Sequence, residues 1–333
     1  MYYKSERRAV HGGRAKYISH NGQKILDFSA SINPFPPNIN LQVPVDALYQ
    51  YPDDDYSLLK QVIARHHGCS SDNVTVGNGS VEVIRTLCHT ILKPGKTFFA
   101  SSQTFAEYEL SARLAGAEPS ELDQADLVFI CNPDNPSGKL LTRNEIETIC
   151  IERTKKDSII CIDEAFIDMA DPNQTAIPLQ NYGVFILRSL TKSFAIPGIR
   201  FGYGIGNPEL IASMEVMRPP WTVNALAESV TISAFSHYDE LNYSRSRIEE
   251  EKSRLIKEIQ KSGWTCEPGS ANYLLIDTQW DARIITELFM KQNILVRDCT
   301  SFNLPNCIRI AIRTPEENNQ LIKALESVHQ CMR

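Results

Sequence analysis

From about residue 55 onward, the hydrophobic pattern keeps switching between two periods. Segments 56–67, 80–92, 105–115 and 142–151 place apolar residues three and four apart, the spacing of amphipathic helices. Among them lie short apolar runs at 97–100, 126–131, 158–162 and 184–187, too short for helices and rich in β-branched and aromatic residues. Runs that are hydrophobic on both faces and separated by helices predict an α/β fold with a mostly parallel sheet between helices. Ligands of such sheets bind at the carboxyl ends of the strands. The polar residues closing the runs, Asn132, Asn135, Asp163, Ser189 and Lys192, are therefore expected to converge there.

The flanks read differently. A helix at 208–217 is broken by Arg218-Pro219-Pro220-Trp221, and one long charged helix is expected over about 225–261. Strands at 273–276, 294–296 and 307–312 then alternate with helices at 281–291 and 315–329, which predicts a small α+β C-terminal domain. The first forty residues are loop-rich, with one short strand at 24–28. An irregular start of that length has to dock on the main body or on a partner subunit. The expected organisation is an N-terminal arm (1–40) joining the small domain, a large ligand-binding domain (41–225), and a connecting helix with the small domain (226–333).

Composition narrows the partners. A formal charge of −6 over 333 residues, with no basic block, argues against nucleic acid. Anion selectivity then has to come from a few placed arginines rather than from a global field. No run approaches membrane-spanning length, and the N-terminus is polar rather than signal-like. The nine cysteines are scattered without a C-x-x-C pair, so neither a metal site nor a disulfide framework is expected. The chain reads as a reduced, cytoplasmic protein away from membranes.

The most informative stretch is 188–200, Arg-Ser-Leu-Thr-Lys-Ser-Phe-Ala-Ile-Pro-Gly-Ile-Arg. The apolar run before it delivers Ser189 and Lys192 into a turn, with Arg200 eight residues after the lysine. Desolvation by the sheet favours the neutral amine needed to form an imine. A hydroxyl and a guanidinium fork beside it suit a phosphate. A surface basic turn is the plain alternative; a lysine imine beside a phosphate clamp describes a site for pyridoxal 5'-phosphate (PLP). Gly77-Asn78-Gly79-Ser80 precedes a helix and suits an anion on the helix N-terminus, although an ordinary serine cap accounts for the tetrapeptide equally well.

The lysine segment resembles that of the fold-type I PLP-dependent transferases, the aspartate-aminotransferase superfamily. The resemblance implies a phosphate cup of Gly79, Ser80, Ser189 and Arg200, and Asp163 against the pyridine nitrogen, where a carboxylate keeps the ring an electron sink. Residues 132–138, Asn-Pro-Asp-Asn-Pro-Ser-Gly, are similar to the N-P-x-N-P-[ST]-G loop, which implies that Asn135 donates to the cofactor's phenolic oxygen. Phe105 stands where the family stacks a ring on the pyridine. Tyr51-Pro52-Asp53 resembles the segment whose tyrosine reaches the neighbouring subunit's cofactor phosphate, implying a homodimer with shared active sites. The strand Cys307-Ile-Arg-Ile-Ala-Ile-Arg-Thr resembles the one whose first arginine, here Arg309, grips the substrate carboxylate. Alternation places Arg309, Ala311 and Arg313 on one face. With Arg297 nearby, these arginines exceed what one carboxylate needs, which implies a small phosphorylated amino acid as substrate.

Across nearly the whole chain the resemblance is to the histidinol-phosphate aminotransferase branch, and three features lean toward its threonine-phosphate decarboxylase family. His11-Gly12-Gly13 is similar to that family's substrate-phosphate segment. Asp27-Phe-Ser-Ala-Ser-Ile-Asn-Pro34 is close to its D-F-S-A-N-I-N-P, which puts Asn33 among the substrate-binding residues. Phe166 stands where aminotransferases usually have tyrosine. The resemblance thus implies decarboxylation of L-threonine O-3-phosphate, or L-serine O-phosphate, to a phosphorylated amino alcohol for the cobalamin nucleotide loop, with Lys192 and Asp163 catalytic. Transamination of a phosphorylated substrate remains open, because the bond held perpendicular to the ring decides the outcome. A PLP-binding regulator or scaffold is the non-enzyme alternative.

Overall fold

The computed structural model describes residues 8–13, 24–39, 45–152 and 157–332. Strands are numbered from β1 (Leu26–Asp27) in the arm. The large sheet takes β2 (Val74–Gly77), β3 (Thr97–Phe99), β4 (Glu118–Pro119), β5 (Leu127–Cys131), β6 (Ile159–Asp163), β7 (Val184–Arg188) and β8 (Gly202–Ile205), in the order β2-β8-β7-β6-β5-β3-β4. From β7 to β4 every neighbouring pair is parallel, and β8 runs against both β2 and β7. The mostly parallel sheet expected from the pattern is therefore present.

Alternation divides each central strand between two cores. Val128, Ile160, Ile162, Val184 and Ile186 pack on one face, while Leu127, Phe129, Cys161, Phe185 and Leu187 pack on the other, as the two-residue period requires. The first face is covered by α1 (Ser57–His67), through Leu59 and Ile63. The second is covered by α2 (Ser80–Ile91), through Ile84 and Leu87, and by α3 (Glu107–Leu114), through Tyr108 and Ala112. Helix α4 (Arg143–Glu152) adds Ile146 to the first face, a one-turn helix α5 (Leu190–Ser193) leaves the end of β7, and α6 (Pro208–Met217) adds Met214 to the second.

The helix expected over 225–261 is two helices, α7 (Ala225–Phe235) and α8 (Leu241–Lys261), separated by a tight turn at Tyr238–Glu240. The break returns Tyr238 to the body, where its ring lies 5.4 Å from that of Phe235 and its hydroxyl donates to Asp168 at 2.9 Å. Beyond α8, strands β9 (Thr265–Cys266), β10 (Tyr273–Asp277), β11 (Ile294–Leu295), β12 (Arg297–Asp298) and β13 (Cys307–Ala311) alternate with α9 (Ala282–Met290) and α10 (Pro315–Met332). The order β12-β13-β10-β9 makes an antiparallel sheet. The strand expected at 294–296 changes partner midway: β11 pairs parallel with β1 of the arm, and β12 pairs with β13.

At the end of β7 a buried ion network joins the sheet to the α7–α8 turn. Arg188 Nη1 donates to Glu164 at 2.8 Å and Nη2 to Asp168 at 2.5 Å, and the Ala176 amide donates to Glu164 at 2.6 Å. Removing one partner of such a network leaves uncompensated buried charge. Arg188→Met is expected to lower stability by about 3–5 kcal/mol, read as the urea midpoint; a change under about 1 kcal/mol, the scale of an exposed pair, contradicts this account.

Candidate active site

Strands β5, β6 and β7 end together, and their carboxyl ends form the floor of a cavity of about 930 Å³. Lys192 lines it from α5. Ser189 caps that helix, its hydroxyl accepting from the Thr191 amide at 3.4 Å and lying 2.9 Å from the Thr191 hydroxyl. Burial lowers the Lys192 amine to about 8 from an ordinary 10.5, aided by the positive charges of Arg309 and Arg200. Nothing acidic is bonded to it among the described residues.

Asp163 ends β6. One carboxylate oxygen accepts from the Ala165 amide at 2.9 Å, and the other from the Tyr108 hydroxyl at 2.6 Å. Burial raises its carboxyl above the usual range, and these hydrogen bonds oppose that shift. Tyr108 is itself buried and stacked on Phe129 at 4.8 Å, so it serves as Asp163's partner. Phe105 and Phe166 also line the cavity, Phe166 packing edge-on to Tyr273 at 5.0 Å.

The anion seat of 79–80 meets Arg200. Gly79 has φ +83°, and a Cβ there would lie 2.4 Å from Arg200 Nη2, so only glycine lets the guanidinium approach. Arg200, itself at φ 61°, donates to the Pro197 carbonyl at 3.0 Å. On the opposite wall Arg309 donates through Nη1 to Asn135 Oδ1 and through Nη2 to the Ser29 carbonyl at 3.3 Å. Its guanidinium sits 4.8 Å from the Tyr273 ring centroid, and its Nε is buried without a partner. A lysine shifted toward neutrality, guanidinium groups bonded to neutral acceptors, and a buried carboxylate fit an anionic, pyridine-bearing aldehyde. Gly79, Ser80, Ser189, Thr191 and Arg200 would hold its phosphate, and Asp163 its ring nitrogen.

Most of the residues expected from the sequence line this one cavity: His11, Gly12, Ser80, Phe105, Asn135, Asp163, Phe166, Ser189, Lys192, Arg200, Arg297, Arg309 and Arg313. Gly79 stands just behind the lining. Asn33 does not line the cavity: it is buried beneath the lysine turn, its side chain donating to the Ser193 carbonyl at 2.7 Å and its amide to the Lys192 carbonyl at 3.0 Å. It braces Lys192 instead of facing a substrate. Tyr51 also lies outside the cavity of its own chain, 79% exposed and 4.6 Å from the Trp221 ring. Two of the arginines are already engaged. Arg313, just past the end of β13, is paired with both oxygens of Glu317 at 2.9 and 3.0 Å. Arg297 Nη2 donates to the Val10 carbonyl at 2.9 Å and to Ser301 Oγ at 2.7 Å. Sequence reasoning missed Thr191, Arg85 and Glu107. The helical spacing of Val81 and Arg85 was a signal for Arg85, since i and i+4 share a face.

The sequence pattern of the family "Aminotransferase class I and II" matches residues 45–325. The chain belongs to that family. Its members are PLP-dependent enzymes, and PLP is the cofactor of this site. Among similar proteins, one from Caldanaerobacter subterraneus subsp. tengcongensis, named "Putative threonine-phosphate decarboxylase", is 31% identical over 96% of this chain and 96% of its own. Histidinol-phosphate aminotransferase of Moorella thermoacetica is 27% identical over 91% of this chain and 85% of its own. The crystal structure of histidinol-phosphate aminotransferase from Sinorhizobium meliloti in complex with PLP superposes with a TM-score of 0.81, at 21% identity, over 91% of this chain and 90% of that one. The shared fold is the fold-type I architecture. No described helix is long and apolar enough to cross a membrane.

Two predictions follow from this geometry. In the cofactor-free protein, acylation of Lys192 should rise with pH and level off above about 8, while surface lysines keep rising toward 10.5. At pH 7 about a tenth of the amine is then neutral, against about one part in three thousand for an unshifted lysine. Competitive labelling with peptide mapping checks this, and a Lys192 profile matching the surface lysines contradicts it. Gly79→Ala should weaken PLP binding by roughly tenfold or more through backbone strain and displacement of Arg200; an unchanged dissociation constant contradicts the proposed cup.

Proposed function

We propose that this enzyme decarboxylates an O-phosphorylated β-hydroxy amino acid, L-threonine O-3-phosphate or L-serine O-phosphate, to the phosphorylated amino alcohol. The observation that carries this reading is the charge of the cavity. Arg85, Arg200, Arg297, Arg309 and Arg313 line it, five guanidinium groups against the three carboxylates Asp27, Glu82 and Asp163. A cofactor phosphate and one substrate carboxylate occupy two of the five, Arg200 and Arg309. Even with Arg313 matched to Glu317, a second anion on the substrate finds cations to meet it.

Bound PLP supplies an electron sink. The chain's own residues do the rest. Arg309 is held by Asn135 and Ser29, and its fork fixes the substrate carboxylate. Phe105 and Phe166 give the ring apolar walls and exclude water. Asp163, supported by Tyr108, holds charge at the ring nitrogen. Fastening the substrate at both ends sets its rotation, and that rotation selects the bond that breaks. Lys192, which titrates at about 8 and so mostly holds its proton at neutral pH, is the group placed to deliver a proton to Cα once carbon dioxide has left.

A homodimer completes this reading. Val45, Leu48, Tyr49 and Tyr51 are exposed apolar side chains close in sequence, and a second copy covering them would receive Tyr51 at its cofactor phosphate. Transamination is the second reading, favoured by the Moorella relative; the neutral form of Lys192 would then remove the Cα proton.

Incubation of the holoenzyme with O-phospho-L-threonine, assaying carbon dioxide and keto acid side by side, separates the two. Carbon dioxide release without an added acceptor, and with the cofactor spectrum regenerated each turnover, is the expected result. Stoichiometric conversion to pyridoxamine phosphate, with turnover restored by 2-oxoglutarate, overturns the decarboxylase in favour of the aminotransferase.

A further inference from the structure

One buried carboxylate outside the cavity lining, which no role described so far uses, stands between two side chains that do line it, His11 and Arg85. Glu107, the first residue of α3, is buried. Its Oε1 lies 3.0 Å from His11 Nε2, and its Oε2, also buried, makes no hydrogen bond and faces Arg85 Nη2 at 3.5 Å. The arm, α2 and α3 thus meet at a single side chain. The hydrogen bond from His11, with the charges of His11 and Arg85, holds Glu107 below the usual carboxylate range, so it is ionised at neutral pH.

The other cations of the cavity are more fully committed. Arg313 has a carboxylate of its own in Glu317. Arg297 uses Nη2 on the arm and on Ser301. Arg309 is bonded to Asn135 and Ser29, and Arg200 is pressed against Gly79. Arg85 has Glu107 as its one ion-pair partner among the described residues, beyond hydrogen-bond length, and its side chain is 47% exposed. Its planar fork keeps donors free for a planar or tetrahedral anion. Five residues separate it from Ser80, about 7–8 Å along the helix, so it is remote from the cofactor-phosphate seat.

We propose that Arg85, held beside His11 by Glu107, joins the arm's His11-Gly12-Gly13 segment in seating the substrate's distal phosphate. Arg85 binds it directly, and Glu107 is a positioning residue that holds the arm's His11 and the Arg85 fork beside one another. A phosphate dianion matches two donors that share one carboxylate, whereas a neutral hydroxyl in its place offers them no charge. Selectivity for phosphorylated over plain β-hydroxy amino acids is then set here, and Arg313 serves mainly to fasten α10. This inference rests on the phosphorylated-substrate reading given above.

The test uses the holoenzyme and two probes, O-phospho-L-threonine and L-threonine, each titrated against the absorbance of the bound cofactor. The unmodified protein is expected to prefer the phosphorylated probe. Arg85→Ala should weaken that probe by roughly 10- to 100-fold, the loss of one charge-assisted contact, with L-threonine affinity and the cofactor spectrum unchanged; Arg85→Lys should recover part of the loss. Glu107→Ala should act in the same direction. Glu107→Gln, whose amide oxygen still accepts from His11, should recover much of it. The effects of Glu107→Ala and His11→Ala should be non-additive in a double-mutant cycle. A phosphate preference that survives Arg85→Ala overturns the seat, and additive effects of the Glu107 and His11 changes overturn the positioning role. An unmodified protein without phosphate preference overturns the substrate reading itself, and this inference with it.

Discussion

Arg309 is where the parts of the molecule are held to one another. From the middle of β13 it bonds Asn135, beyond the end of β5, and the Ser29 carbonyl in the arm, while its guanidinium rests on Tyr273 of β10. Its charge also helps to lower the Lys192 amine. A cation buried this way is costly unless its donors are satisfied, yet its Nε remains without a partner among the described residues. The chain therefore carries an unsatisfied donor in the cavity, and on the proposed reading a substrate carboxylate would supply what folding left out.

Opposed electrostatics recur around the cofactor's place. Crowded positive charge and burial move Lys192 toward neutrality, while burial among apolar and aromatic residues raises Asp163. The two groups shift toward each other, a pattern that recurs where side chains do chemistry. The overall formal charge of −6 says nothing about this; the five arginines that line the cavity outweigh it locally, because clefts concentrate the field of the charges that line them.

Much of this was legible in the sequence. Apolar runs buried on both faces give an unmistakable sheet, and the polar residues just after them have to surface at its carboxyl edge, so Lys192, Asp163 and Asn135 came out together. Contacts between distant segments were not legible. His11 and Glu107 stand 96 residues apart, and nothing in either neighbourhood announces the other. The break between α7 and α8 was hidden because Ser236 to Glu240 carries no proline or glycine; it follows from what Tyr238 finds in the fold. Arg313 lines the cavity, but its pairing with Glu317 was overlooked although their spacing in the sequence displays it. Asn33 was assigned by its segment, and its side chain turned out to brace the lysine turn.

The arm's contacts bear on how the protein is made. The hydrogen bond from Arg297 to Val10 closes 287 residues of chain, and that from Arg309 to Ser29 closes 280. Loops of that size form late, after the locally paired strands have assembled. During synthesis the lysine segment emerges well before the strand that brings Arg309. The amine of Lys192 thus meets Arg309 only once β13 has been made and has closed on the arm, so on the proposed reading joint capture of cofactor and substrate would report that these distant segments have come together.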